Sequence, residues 1–177
     1  AKLDKSPNVI YLARPCQYVQ NNQCQKETWT MLQYSNNIMS NYIKILKGLK
    51  NKHSTVHLVG YSGGSVIAMY LASIKDLNIK SVTTIAGNIK PGEFTRMLNI
   101  SPYRTSLNLK AIEKNIQSIS QTHFYGNKDK VIPEKLHLNY QARNLNNSCL
   151  KFTKVKASHD KNWELFWQDN SNIQVNC

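Results

Sequence analysis

The chain has 177 residues, enough to bury a core of its own and few enough to read as a single domain over 1–177. Its 23 Lys and Arg against 10 Asp and Glu leave a formal charge of +13, which admits peripheral contact with an anionic membrane surface. The lysines are scattered among Asn and Ile, however. No basic stripe interleaved with aromatics points to nucleic acid, and no run approaches the roughly 18 apolar residues of a membrane span.

In chain order, Val9, Ile10, Tyr11 and Leu12 predict a strand over 8–13. A helix over 27–50 follows, with Ile38, Met39, Tyr42, Ile43, Leu46 and Leu49 spaced three and four apart. Strand 55–60, helix 63–75 and strand 81–86 come next. The connection from Gly87 to Asn108, broken by Pro91 and Pro102, reads as irregular. Its Phe94, Met97, Leu98, Ile100 and Tyr103 would either cap a site or pack on the sheet. A helix over 107–119, strand 121–126, helix 134–145, strand 150–156 and helix 160–169 complete the chain. Five strands alternating with helices predict an α/β fold, a mostly parallel sheet with helices on both faces.

Cys16 and Cys24 flank a short polar loop, and Cys149 and Cys177 could pin the tail. Four cysteines allow three pairings. The expected one is Cys16 with Cys24 and Cys149 with Cys177. No C-x-x-C spacing suggests zinc or thioredoxin chemistry, and no metal site is expected. Disulfides imply an extracytoplasmic chain, periplasmic or secreted; the alternative is four idle thiols in the cytosol.

The chemistry concentrates at Gly60, Tyr61, Ser62, Gly63 and Gly64. This G-x-S-x-G lies between an apolar, β-branched strand and the buried helix that begins near Ser65. Such a turn exposes the serine hydroxyl, and its flanking positions must be small. The amide of Gly63 and the helix N-terminus then face any developing oxyanion. A serine nucleophile needs a histidine base oriented by a carboxylate. Asp129 follows strand 121–126 on a glycine turn, and His159 follows strand 150–156. All three candidates sit past the C-terminal ends of strands, where open parallel sheets build sites. Asp160 adjoins His159 too closely to orient it easily. His53, His57, His123 and His137 lie in or beside predicted elements and read as structural or solvated. Ser65 and Ser158 read as hydrogen-bonding supports.

The elbow, the Gly126-x-x-Asp129-x-x-x-Pro133 loop and His159 together resemble the α/β-hydrolase-fold serine hydrolases over residues 8–168. Residues 9–19 are similar to a little-characterised set of bacterial hydrolases with this fold. The resemblance implies attack by Ser62 on a small ester, thioester or related acyl substrate, with Asp129 and His159 completing the triad. Tyr61 and Trp163 would shape the acyl pocket, and no metal or organic cofactor is implied. It also implies strands and an oxyanion loop ahead of residue 9. Either the chain is part of a longer protein, the preferred reading, or residues 14–17 supply the second oxyanion donor. A part would expose sheet backbone and invite pairing with the remaining segment or a second copy. The competing classes are a non-catalytic hydrolase-fold protein of the cell envelope and an acyltransferase with the same triad.

Overall fold

The computed structural model of the chain describes residues 4–6, 8–22, 24–50, 55–105, 107–170 and 177; His53 lies outside them. Four strands form one sheet in the order β1 (Val56–Tyr61), β2 (Ile79–Ile85), β3 (Ser120–Gly126) and β4 (Leu150–Val155). All three pairings are parallel, so every strand delivers its C-terminal end to the same side. The expected strand over 8–13 does not form among the described residues, which makes the sheet four-stranded rather than five-stranded. An apolar, β-branched run becomes a strand only when a neighbouring ladder takes up its amides. Here the carbonyl of Ala13 instead accepts a hydrogen bond from Tyr42 Oη, and Val9, Ile10 and Tyr11 stay exposed.

Helix α1 (Asn36–Lys50) is shorter than the expected 27–50. Its first part is a 3-10 turn over Lys26–Trp29 followed by turns that bury Tyr34 completely. The apolar stripe of Ile38, Met39, Tyr42 and Leu46 packs in one cluster with α2 (Gly64–Ala72), which lies on β1 and β2. The connection read as irregular contains α3 (Pro91–Met97), started by a proline in its first turn. Phe94 and Met97 pack into the core and Tyr103 meets Tyr34 edge-on at 4.9 Å, so these three do not form a cap. Glu93 holds α3 against α5 (Glu134–Arg143) through Asn139 at 2.6 Å and Arg143 at 2.8 Å. Between them, α4 (Leu109–Asn115) is capped by the Asn108 side chain, which accepts from the Ala111 amide.

Side chains alternate across a strand, so the two faces of the sheet can be read from its register. One face, with Leu58, Val82 and Phe152, lies in the large cluster under the helices from α1 to α5. The other carries Ile85, Phe124 and Val155 and is covered by Trp163 and Phe166 of α6 (Trp163–Asn170). That cover reaches only part of the face. His57, Val59 and Tyr61 on β1 remain exposed, with Val59 at 51% and Tyr61 at 46%. Two disulfides pair Cys16 with Cys24 and Cys149 with Cys177.

Candidate active site

Ser62 sits at the tip of β1 with φ of 51°, a left-handed conformation costly for a residue with a Cβ. Hydrogen bonds on both sides hold it there. Its amide donates to Ile85 O at 3.0 Å, and its carbonyl accepts from the amides of Asn88 and Ser65 at 3.1 Å each. Gly60 lets strand and helix meet behind it, because a Cβ there would stand 2.6 Å from the Gly64 carbonyl oxygen. Ser65, fully buried, donates its hydroxyl to Gly60 O at 3.0 Å and ties helix to strand.

Gly63 is the N-cap of α2, so its amide heads the helix where no preceding carbonyl is available. Its own carbonyl accepts from Tyr34 Oη at 3.2 Å. Tyr34 is a residue that sequence reasoning passed over, since it fell inside the expected helix 27–50. Nothing in the local pattern distinguishes a tyrosine that reaches the elbow from one on a helix face. Burial, reinforced by Tyr103, pushes its hydroxyl far above the ordinary value against the nearby Arg14 guanidinium.

Asp129 lies on the loop after β3. Gly126 allows that loop to rest on the loop after β4, since a Cβ at 126 would approach Ala157 O to 2.4 Å. The Lys128 amide donates to the same Ala157 carbonyl at 3.0 Å, two residues before His159. One carboxylate oxygen of Asp129 accepts the amides of Val131 at 2.8 Å and Ile132 at 2.9 Å. The other lies 2.9 Å from His159 Nδ1, and the side chain is only 2% exposed. A neutral ring that donates Nδ1–H to the carboxylate presents Nε2 as an acceptor, and that nitrogen lies 3.0 Å from Ser62 Oγ. The three candidates, 30 and 97 residues apart along the chain, therefore form one continuous hydrogen-bonded line.

Tyr61 and Trp163 both approach His159 through its main chain. Tyr61 Oη donates to the His159 carbonyl at 2.6 Å and Trp163 Nε1 to the same oxygen at 3.1 Å. Ser158 Oγ donates to Asp160 Oδ1 at 3.0 Å, and the carboxylate at His159 Nδ1 is that of Asp129. The other described histidines lie elsewhere. His57 is exposed on β1 and meets Ser81 Oγ at 2.7 Å, while His123 and His137 are buried on β3 and α5. Among the described residues no cluster of three or more metal-ligating side chains occurs.

Among solved structures, the chain is similar to the esterase Pf2001 of Pyrococcus furiosus, with 14% identity and a TM-score of 0.59 over 77% of this chain and 59% of that one. It is similar to FphF, a fluorophosphonate-binding serine hydrolase of Staphylococcus aureus, with 9% identity and a TM-score of 0.56 over 78% and 62%. Est1E of Butyrivibrio proteoclasticus, solved with ferulic acid bound, matches with 12% identity and a TM-score of 0.52 over 75% and 64%. At these identities the likeness is one of fold, and the chain spans about three fifths of the length of each structure. No match was found among the curated proteins. The family profile described as Serine hydrolase (FSH1) matches residues 14–160, which takes in Ser62, Asp129 and His159. The chain belongs to the serine hydrolase (FSH1) family.

Proposed function

We propose that the chain carries the catalytic centre of a hydrolase that cleaves a small ester, thioester or related acyl bond through an acyl-enzyme. The observation that carries this reading is the line from Asp129 through His159 to Ser62, with links of 2.9 and 3.0 Å. His159 Nε2 takes the hydroxyl proton as Ser62 Oγ bonds the acyl carbon. Asp129 holds the ring in the Nδ1–H tautomer and stabilises the imidazolium. The Gly63 amide receives the oxyanion of the tetrahedral intermediate, and the N-terminal end of α2 adds its dipole. Collapse expels the alcohol or thiol with the proton from His159. Water, deprotonated by the same nitrogen, then frees the acid and restores Ser62. Two disulfides suit a protein that works in an oxidising compartment outside the cytoplasm.

Intact-mass analysis after treatment with a fluorophosphonate tests the mechanism. A single adduct, with fluoride lost, should form on the wild-type chain and be absent from Ser62→Ala. Asp129→Asn should slow labelling by roughly 10⁴-fold through the wrong imidazole tautomer. An adduct persisting in Ser62→Ala would overturn the assignment.

A further inference from the structure

We infer that Tyr61 and Trp163 are positioning residues that fix His159 through its main-chain carbonyl. The inference rests on the reading of Ser62, His159 and Asp129 as the reacting set. Both ring nitrogens of His159 are engaged, but those bonds orient the imidazole only as well as the loop beneath it is held. That loop, between β4 and α6, carries Asn162 at φ 72°. Two main-chain carbonyls anchor it: that of Ala157 accepts the Lys128 amide, and that of His159 accepts two side chains. From one side Tyr61 Oη donates at 2.6 Å, and from the other Trp163 Nε1 donates at 3.1 Å while also reaching Ser158 O at 2.7 Å.

The placement of the two donors gives the clamp its use. Tyr61 immediately precedes Ser62, so one strand end sets the position of both the nucleophile and the base. Trp163 opens α6 and is 8% exposed, wedged in the cluster with Ile85, Phe124 and Ala157. The carbonyl is therefore tied on one side to β1 and on the other to the packed face of the sheet. The Tyr61 ring lies 5.4 Å from the imidazole at 36°, close against the base. Although Tyr61 is 46% exposed, its hydroxyl is committed to this bond rather than offered to a ligand.

Tyr61→Phe removes only the hydroxyl, and Trp163→Phe removes the N–H while keeping an aromatic ring in the cluster. Saturation kinetics with a fluorophosphonate separate the limiting rate of inactivation from the apparent affinity. The expected result for Tyr61→Phe is a ten- to hundredfold fall in the limiting rate with affinity unchanged, because a misplaced base costs rate and not binding. Trp163→Phe should give a smaller fall of the same kind. An unchanged limiting rate, or weakened affinity with the rate intact, would overturn the inference and place Tyr61 on the ligand. Nitrogen-15 NMR of labelled histidine supplies a readout independent of turnover. The His159 Nδ1–H signal should broaden or split in Tyr61→Phe, and superimposable spectra would overturn the clamp. A wild-type chain that takes no adduct would sink the proposed mechanism alone, since the NMR comparison still decides whether Tyr61 positions the ring.

Discussion

A Cβ at Gly60 would stand 2.6 Å from the carbonyl oxygen of Gly64 and 2.7 Å from Ser65 Cα, whereas one at Gly64 would meet nothing within 4 Å. Both neighbours of Gly60 are main-chain atoms of the elbow and cannot swing aside. Gly60→Ala should therefore destabilise the chain by at least about 1–3 kcal/mol, read as a lower urea midpoint. Gly64 opens α2, where alanine fits and the unfolded chain loses freedom. Gly64→Ala should raise the midpoint, by up to about 0.5–1 kcal/mol in stability. Equal losses in the two variants would refute the distinction. From sequence alone the two glycines are equivalent members of G-x-S-x-G, because the pattern records a spacing and not which neighbour a side chain would strike. Ser62, Asp129 and His159 were legible for the opposite reason. Their chemistry demands particular residue types, and only ten acids compete for the middle place.

At the scale of elements, β3 and α5 meet through two histidines that take no part in the proposed chemistry. His123 and Tyr125 share a face of β3, and His137 and Tyr140 share a face of α5. The His137 ring stacks on Tyr125 at 5.0 Å, and His123 meets Tyr140 edge-on at 5.8 Å and Thr84 Oγ1 at 2.8 Å. Burial lowers both histidines, His123 to about 3 and His137 to about 4, so each stays neutral in the folded chain well into acid. In the unfolded chain they take protons below pH about 6.5. The unfolded state thus binds more protons between about 6.5 and 4, and stability falls as pH falls through that window. Each histidine contributes a slope of up to about 1.4 kcal/mol per pH unit. Urea midpoints measured from pH 7 to 4.5 should fall steadily, and less steeply in His137→Phe. A flat profile would show these rings to be hydrated. The elements themselves were readable wherever local pattern and tertiary context agree, as at α2 and β3. They were misread at 8–13 and 27–35, where the outcome depends on a ladder partner and on the burial of Tyr34. At α3 the start signal, a proline followed by Glu93, was present and outweighed by the broken appearance of the connection.

Across the whole molecule, the proposed site is assembled from the ends of β1, β3 and β4, and two crosslinks restrain the chain that carries them. The bridge from Cys16 to Cys24 spans a sequence separation of 8, and that from Cys149 to Cys177 a separation of 28. Chain-entropy arguments give about 2.5 kcal/mol for the shorter and about 3.5 kcal/mol for the longer. Cys149→Ser paired with Cys177→Ser should accordingly lower Tm more than Cys16→Ser paired with Cys24→Ser, and a reductant should approach the sum. Scans unmoved by reductant would mean that the bridges do not form in solution. The lateral order of the sheet has a further consequence, because β1 is hydrogen-bonded to β2 alone among the described residues. In a parallel ladder half of an outer strand's amides point away from the sheet and trade deuterium with water readily. Uptake along β1 should outrun that in β2 and β3, even though β1 ends in Ser62. The nucleophile then hangs from one of the two outer strands of the sheet, and a group bonded to Ser62 and held by the Gly63 amide would register as slower exchange in β1.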